Sequence, residues 1–375
     1  MSETGGNAAV RRRNRERIAM YILDRGSASR QELAEELGLS MPTVFQNVGE
    51  LLSWGLIRED GSYHSTGGRK TRRLVLNRGV CCALGIEVTA QCLHMVLLDL
   101  TREVLAAEAI PLAYTDSDAY YEELGRLTAA FAGKNSGSCP VEGVGIALPG
   151  IIDQQRGVLV RSHALDVSNV ELLRFSCGIP YPALFGNDAN LAAYAEVSDK
   201  SVNTLYLSLN DTVGGAVYLN GELYLGENWR SGEFGHMVVE PGGRLCYCGK
   251  RGCLDSYCSA RVLRREGNGL EGFFDSLRTG DPRCSDLWED YLEHLAVAVS
   301  NLRMAFDCDI VLGGDVGGCL RERMDEFSGH LAPYNRFDTD SAYIRPGQLR
   351  RESAAIGGAR QVLDRYIHNL QRVER

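Results

Sequence analysis

Cys82-Ala-Leu-Gly-Ile86 and Cys92-Leu-His-Met-Val-Leu-Leu98 open an alternation of apolar runs that decides the fold. Short apolar runs bounded by polar turns read as strands. A hairpin-like return follows at Val104-Leu105, then a helix over about 117–133. Val141-Glu-Gly-Val-Gly-Ile-Ala-Leu148 then runs into Pro149-Gly150. Strand, strand, strand, helix, strand is one α/β unit. A second set starts at Thr204-Leu-Tyr-Leu-Ser-Leu209 and Gly214-Gly-Ala-Val-Tyr-Leu219. Two such units with a cleft between them predict a two-lobed nucleotide- or sugar-binding architecture. The last helix, about 353–370, is expected to pack back on the first lobe.

Around this body the composition is that of a globular chain. Its 375 residues are 44% apolar and 24% charged, which excludes a disordered or fibrous protein. No stretch approaches the roughly 18 apolar residues of a membrane span, and residues 1–17 lack an apolar signal core. A cytoplasmic protein with no membrane partner is expected. The net charge of −9 is unevenly spread: residues 1–80 carry 13 basic and 9 acidic side chains, a net of +4, and the remainder is at −13. A basic head on an acidic body predicts an anionic partner for the head alone.

The head reads as three helices and a hairpin. Ile18, Tyr21 and Ile22 form a helical stripe that ends at Gly26. Ser29 caps a short helix stopped by Gly38, and Ser40 caps a third helix with Pro42 in its first turn. Val44, Val48 and Leu51 share the inner face of that helix; Thr43, Gln46, Asn47 and Glu50 are expected on its outer face. Two short helices around Gly38 make a helix-turn-helix, whose last helix would read a major groove. Gly55-Leu-Ile57 and Arg72-Arg-Leu-Val-Leu76 look like the strands of a wing. Its tip, Gly67-Gly-Arg-Lys70, belongs to a stretch over 67–78 with five basic groups and no acid. Charge alone would also suit a solvated hairpin on a protein–protein module. Charge together with caps, turn and wing favours DNA, with Ser40, Thr43, Gln46, Asn47, Arg69 and Lys70 as contacts. Arg11-Arg-Arg13 is either a phosphate contact or a solvated end.

Twelve cysteines in a chain this long do not suggest a secreted disulfide scaffold. Four metal-competent ligands cluster at His236, Cys246, Cys248 and Cys253, with Gly249 and Gly252 placed to fold the loop back. One nitrogen and three sulfurs suit tetrahedral zinc, and a closed set of four makes it structural. The other nine cysteines are scattered, and buried thiols are the default reading.

These residues together resemble the ROK family (repressors, open reading frames and sugar kinases), in its transcriptional-repressor branch. The resemblance rests on Gly38-Leu-Ser-Met-Pro-Thr-Val44, Gly67-Gly-Arg-Lys70, Gly145-Ile-Ala-Leu-Pro-Gly150, Asn187-Asp-Ala-Asn190, Gly232-Glu-Phe-Gly-His236, Cys246-x-Cys-Gly-x-x-Gly-Cys-Leu254 and Val311-Leu-Gly-Gly314. It implies a winged helix-turn-helix over 1–78 and a sugar-binding domain over 79–375 with a two-lobed actin/hexokinase-like (ribonuclease H-like) ATPase-type fold. Lobe 1 would take about 79–187 plus the helix 353–370. Lobe 2 would take about 188–352, with the zinc loop 236–253. The resemblance further implies a sugar site of Asn187, Asp188, Glu233, His236 and, after Cys-Leu, Asp255 where the family usually has Glu.

In ROK kinases the residue matching Asp188 is the general base that deprotonates the sugar hydroxyl. Phosphoryl transfer also needs glycine-rich phosphate loops. The family's Asp-x-Gly-Gly-Thr is here Glu87-Val-Thr-Ala-Gln91. Its Gly-Thr-Gly-x-Gly-x-Gly is Asn210-Asp-Thr-Val-Gly-Gly-Ala216, and the third element, Gly313-Gly-Asp315, carries an added acid. Three departures outweigh one retained base. The expected function is therefore a sugar-responsive repressor of carbohydrate genes: not an enzyme, a homodimer or dimer of dimers, bound to operator DNA. The alternatives are a sugar kinase with an appended DNA-binding head, and a constitutive DNA binder with a vestigial sugar site.

Overall fold

The structure is a computed structural model that describes residues 3–62, 72–197 and 203–370. Its head holds α1 (Glu3–Arg25), α2 (Arg30–Leu37), α3 (Met41–Ser53) and an antiparallel pair, β1 (Ile57–Ser62) and β2 (Arg72–Leu76). The local chemistry sets these boundaries. The Ser29 hydroxyl accepts the Glu32 amide at 3.1 Å, and the Glu32 carboxylate accepts the Ser29 amide at 2.7 Å, a closed capping box. Gly38 ends α2 at φ +63°, where any other residue would be strained. Ser40 caps α3 through the Thr43 amide. Ile18, Ile22, Leu33, Val44, Val48, Leu51 and Leu74 fill the head's interior. The expected wing-tip contacts Arg69 and Lys70 lie outside the described residues.

The body contains two five-stranded sheets of one plan. In the first, β3 (Cys82–Val88), β4 (Cys92–Asp99) and β5 (Val104–Pro111) form an antiparallel meander. After α4 (Asp118–Asn135), β6 (Val141–Leu148) runs parallel to β3, and the order is completed by β10 (Ala183–Asn187) as β10-β6-β3-β4-β5. Between β6 and β10 lies a small antiparallel sheet of β7 (Ile151–Asp153), β8 (Val158–Ser162) and β9 (Val167–Glu171). Then come α5 (Asp188–Glu196) and the second meander: β11 (Thr204–Leu209), β12 (Val213–Leu219) and β13 (Glu222–Leu223). Short helices α6 (Asp255–Cys258), α7 (Ala260–Arg264) and α8 (Gly269–Arg278) lead to the long α9 (Pro282–Phe306). Next are β14 (Asp309–Gly313), α10 (Gly314–Leu320), α11 (Met324–Leu331), β15 (Ile344–Pro346) and α12 (Ser353–His368). The second sheet has the order β13-β12-β11-β14-β15, with β14 and β15 parallel to β11. A repeated meander flanked by parallel strands is the two-lobed α/β architecture that the apolar alternation predicts.

Helix α12 packs directly on β3, β6 and α5. It comes so close that a Cβ on Gly85 of β3 would lie 1.8 Å from the Ala355 carbonyl oxygen, and one on Gly357 equally near the Leu191 carbonyl of α5. Only glycine fits either position. Head and body share one apolar cluster, in which Ile18 and Leu76 join Ala83, Ile356 and Ile367. A polar bridge runs beside it. Arg102 reaches Asp24 of α1 at 3.3 Å and Asp364 of α12 at 2.6 Å, and the Tyr194 hydroxyl of α5 donates to the same Asp364. His368 meets Glu16 at 2.5 Å. Among the described residues no helix is long and apolar enough to cross a membrane.

Candidate functional site

The cleft site begins where β10 turns into α5. Asn187 caps α5, its Oδ1 accepting the Asn190 amide at 3.0 Å, while its Nδ2 donates to the Gly150 carbonyl at 3.0 Å. Both ends of the amide are used by the fold, so Asn187 fixes the turn that presents Asp188. The Asp188 carboxylate accepts the Ala189 amide at 2.9 Å. Burial pushes its pKa up from 3.8 to about 6, and the nearby Glu233 charge adds to the rise. Glu233 is itself raised, mainly by desolvation in the cleft, although its side chain stays 40% exposed. Asn187, Asp188, Glu233 and His236 line one cavity of about 430 Å³, whose far wall is Arg161, His163 and Tyr247. Carboxylates and an imidazole converging on such a space can accept and donate to vicinal hydroxyls, and reject ligands that lack them.

Asp255 does not join this set. Its side chain is 3% exposed, its Oδ2 accepts the Val213 amide at 2.6 Å, and it is absent from the lining of the cavity. The carboxylate is committed to holding the start of β12. Two lining residues escaped the sequence reading. Tyr247 sits between two ligand cysteines, and with Cys246 and Cys248 turned to the cluster its ring is left to the cleft, 5.3 Å from His236. His163 follows β8, meeting the His236 ring edge-on and the Tyr247 ring at a tilt; nothing in Ser162-His-Ala164 marks it.

The four expected metal ligands do come together. The ligand atoms of His236, Cys246, Cys248 and Cys253 all lie within 4.8 Å of one another. The Cys248 and Cys253 sulfurs are 3.8 Å apart, as are the Cys246 sulfur and His236 Nδ1. A tetrahedron with metal–sulfur bonds of about 2.3 Å has S–S edges of about 3.8 Å, so the set fits a thiolate-bound ion. The loop folds back at Gly249 (φ +90°) and Gly252 (φ +84°). Lys250 donates to the His236 carbonyl at 2.7 Å and steadies the fourth ligand. With Nδ1 toward the sulfurs, His236 Nε2 faces Glu233 at 4.0 Å, on the cleft side.

Beyond Asp188 the cleft continues into an arm lined by ion pairs. Arg264 of α7 binds Asp211, and also Asp315 at 2.5 Å; Arg351 approaches Asp315 at 3.3 Å. The cations of this arm are therefore already paired with the protein's own carboxylates.

On the head, Ser40 and Gln46 are exposed on α3 and Thr43 is half-buried. Asn47 is not on the outer face: it is 2% exposed and donates to the Thr43 carbonyl at 2.8 Å. The reason is helical geometry, since positions 44, 47, 48 and 51 form a single i, i+3, i+4, i+7 stripe. The outward position belongs instead to Phe45, 56% exposed with the Arg30 guanidinium over its ring.

The ROK family model matches residues 83–364. The xylose repressor of Bacillus subtilis is 28% identical over 96% of this chain and 97% of its own length, and that of Bacillus spizizenii is 25% identical over the same shares. The transcriptional dual regulator NagC of Escherichia coli is 27% identical over 70% of this chain and 66% of its own. Among solved structures, a ROK transcriptional regulator homologous to the E. coli MLC protein aligns over 96% of this chain and 97% of its own, with a TM-score of 0.72 and 21% identity. A ROK glucokinase of Streptomyces griseus, in complex with glucose and AMPPNP, aligns over 75% of this chain and 98% of its own, with a TM-score of 0.61 and 22% identity. These likenesses establish the actin/hexokinase-like fold.

Proposed function

Because this chain belongs to the ROK family, we propose that it is a sugar-responsive, DNA-binding transcriptional regulator, most simply a repressor of carbohydrate uptake or catabolism, and not a working kinase. The observation that carries this reading is the contrast within one cleft. The hydroxyl-binding side keeps Asp188, Glu233 and His236 around an open cavity. The arm beyond Asp188 holds Arg264 and Arg351 paired to Asp211 and Asp315. A nucleotide's phosphates would have to displace those carboxylates, at the cost of like-charge repulsion. Full-length similarity to two proteins named xylose repressor supports the same reading.

A sugar hydroxyl would donate to ionised Asp188, with Asn187 keeping that carboxylate aimed and the His236 imidazole and Glu233 fixing a second hydroxyl. The cysteine cluster would hold structural zinc, which supplies a fixed anchor for the His236 ring. Ligand binding at the head of α5 would shift lobe closure and, through α12, the setting of the heads. A homodimer would present two winged heads to a two-fold operator, with Ser40, Thr43 and Gln46 facing the groove together with Phe45.

The kinase alternative has one favourable observation: a carboxyl at about pKa 6 suits a general base. A coupled ADP-release assay over hexoses and pentoses, run beside thermal-shift screening of the same sugars, separates the two. Sugars at 100 times their dissociation constant should add about 2.7 kcal/mol of stability with no ADP released. ADP release abolished by Asp188→Asn would establish the kinase instead.

A further inference from the structure

The cleft does not end at the cavity already described. A second cavity of about 510 Å³ adjoins the first, which is about 430 Å³, and the two share Pro149, Ala164, Asp188 and Thr212 in their walls. Asp188 is the partition between them. A ligand seated against Asp188 in the first cavity has the second directly beyond that carboxylate.

The chemistry of the second cavity is specific. Glu87, on β3, lines it and is only 7% exposed. Among the described residues no group is within hydrogen-bond contact of its carboxyl, although buried polar groups are normally paired. Its cross-strand neighbour His94 turns instead to Cys92, at 3.3 Å. Burial, with Asp188 and Asp315 nearby, pushes the Glu87 pKa well up, which favours the protonated form that can donate as well as accept. The guanidiniums of Arg261, Arg264 and Arg351 each already face a carboxylate: Asp255, then Asp211 and Asp315, then Asp315. Among the described residues of this wall, each arginine already faces a carboxylate rather than waiting for an anion.

We propose that the cleft is a two-compartment site for a neutral saccharide longer than one ring, a disaccharide or glycoside, with its first ring against Asp188, Glu233 and His236 and its second unit hydrogen-bonded to Glu87. The proposal rests on the sugar reading of the first cavity. It adds that the space beyond Asp188 takes a hydroxyl-bearing extension and rejects a phosphate. Volume alone would admit many occupants; a buried, unpartnered carboxyl beside arginines already paired to carboxylates selects a neutral, hydrogen-bonding one.

Isothermal titration of the full-length protein tests this with defined probes. These are xylose, glucose and N-acetylglucosamine, their 1,4-linked dimers xylobiose, cellobiose, maltose and chitobiose, and glucose 6-phosphate. For whichever ring binds, the dimer is expected to bind at least tenfold tighter than the monomer, and the phosphate ester more weakly than the free sugar. Glu87→Leu should erase the dimer's advantage. Glu87→Gln, which keeps a donor and an acceptor in place, should retain it. A monomer that binds as tightly as its dimer, a dimer advantage untouched by Glu87→Leu, or a phosphate ester that binds tightest overturns the two-compartment site while leaving the sugar reading intact. Absence of binding by every probe overturns both.

Discussion

Asp188 does two jobs with one carboxylate: it starts α5 and it faces the cleft. Its pKa of about 6 gives two opposite pH signatures. A raised carboxyl favours the protonated fold, so this group's contribution to ligand-free stability declines as pH climbs from about 4 to about 6. Sugar binding that needs the ionised form runs the other way, weakening by up to roughly tenfold per pH unit below about 6. Asp188→Asn should flatten the binding profile, which titrations between pH 5 and 7.5 would show. Phe45 and Asn47 make a second contrast. Phe45→Ala or Gln46→Ala should weaken binding to selected DNA by about 1–3 kcal/mol per lost base contact. Asn47→Ala should lower the melting temperature without changing base preference, because the side chain is inside. Residue types and spacing pointed to Asp188 and Glu233, which the fold brings to one cavity, and to three thiols that it gathers with His236. Orientation was another matter. Asp255 stands at its expected place in the chain, yet a backbone amide claims its oxygen, and no one-dimensional pattern announces that partner 42 positions away.

At the scale of elements, the metal loop and the connection between head and body are the parts that can be broken separately. If the cluster holds zinc as proposed, Cys248→Ser or prolonged chelation should release it and lower the melting temperature. Cys177→Ser, at an exposed site away from the cluster, should do neither. Metal analysis with differential scanning fluorimetry checks both. The connection runs from α5 through Tyr194 to Asp364 of α12, then through Arg102 to Asp24 of α1. Arg102 is held at φ +66°, an uncommon conformation for a non-glycine residue, on the turn between β4 and β5. Arg102→Ala should leave sugar affinity in place and reduce the effect of sugar on DNA affinity, a loss of coupling rather than of either site. Helix caps at Ser29 and Ser40 were legible because capping is local. The bridge from Arg102 to Asp364 spans 262 positions, and only the fold brings them together.

Across the whole molecule, a head at +4 and a body at −13 divide the work. In the proposed reading the head would supply contacts to phosphates, so DNA affinity should fall steeply with salt, while the acidic body would confine contact to the heads. The repeated meander was readable from apolar alternation, because strands buried on both faces need continuous apolar runs. The cleft between the lobes was readable as a place but not as a shape: its two cavities meet at Asp188 only once β3, β10 and the start of α5 are packed together. In the proposed function, a sugar in this cleft changes how the heads hold DNA. The direct measurement is the affinity of the full-length protein for a duplex it selects from a random library, taken with and without a saturating sugar found by thermal shift. A change of at least tenfold is expected, abolished by Asp188→Asn. A bound sugar that leaves DNA affinity unchanged would contradict it.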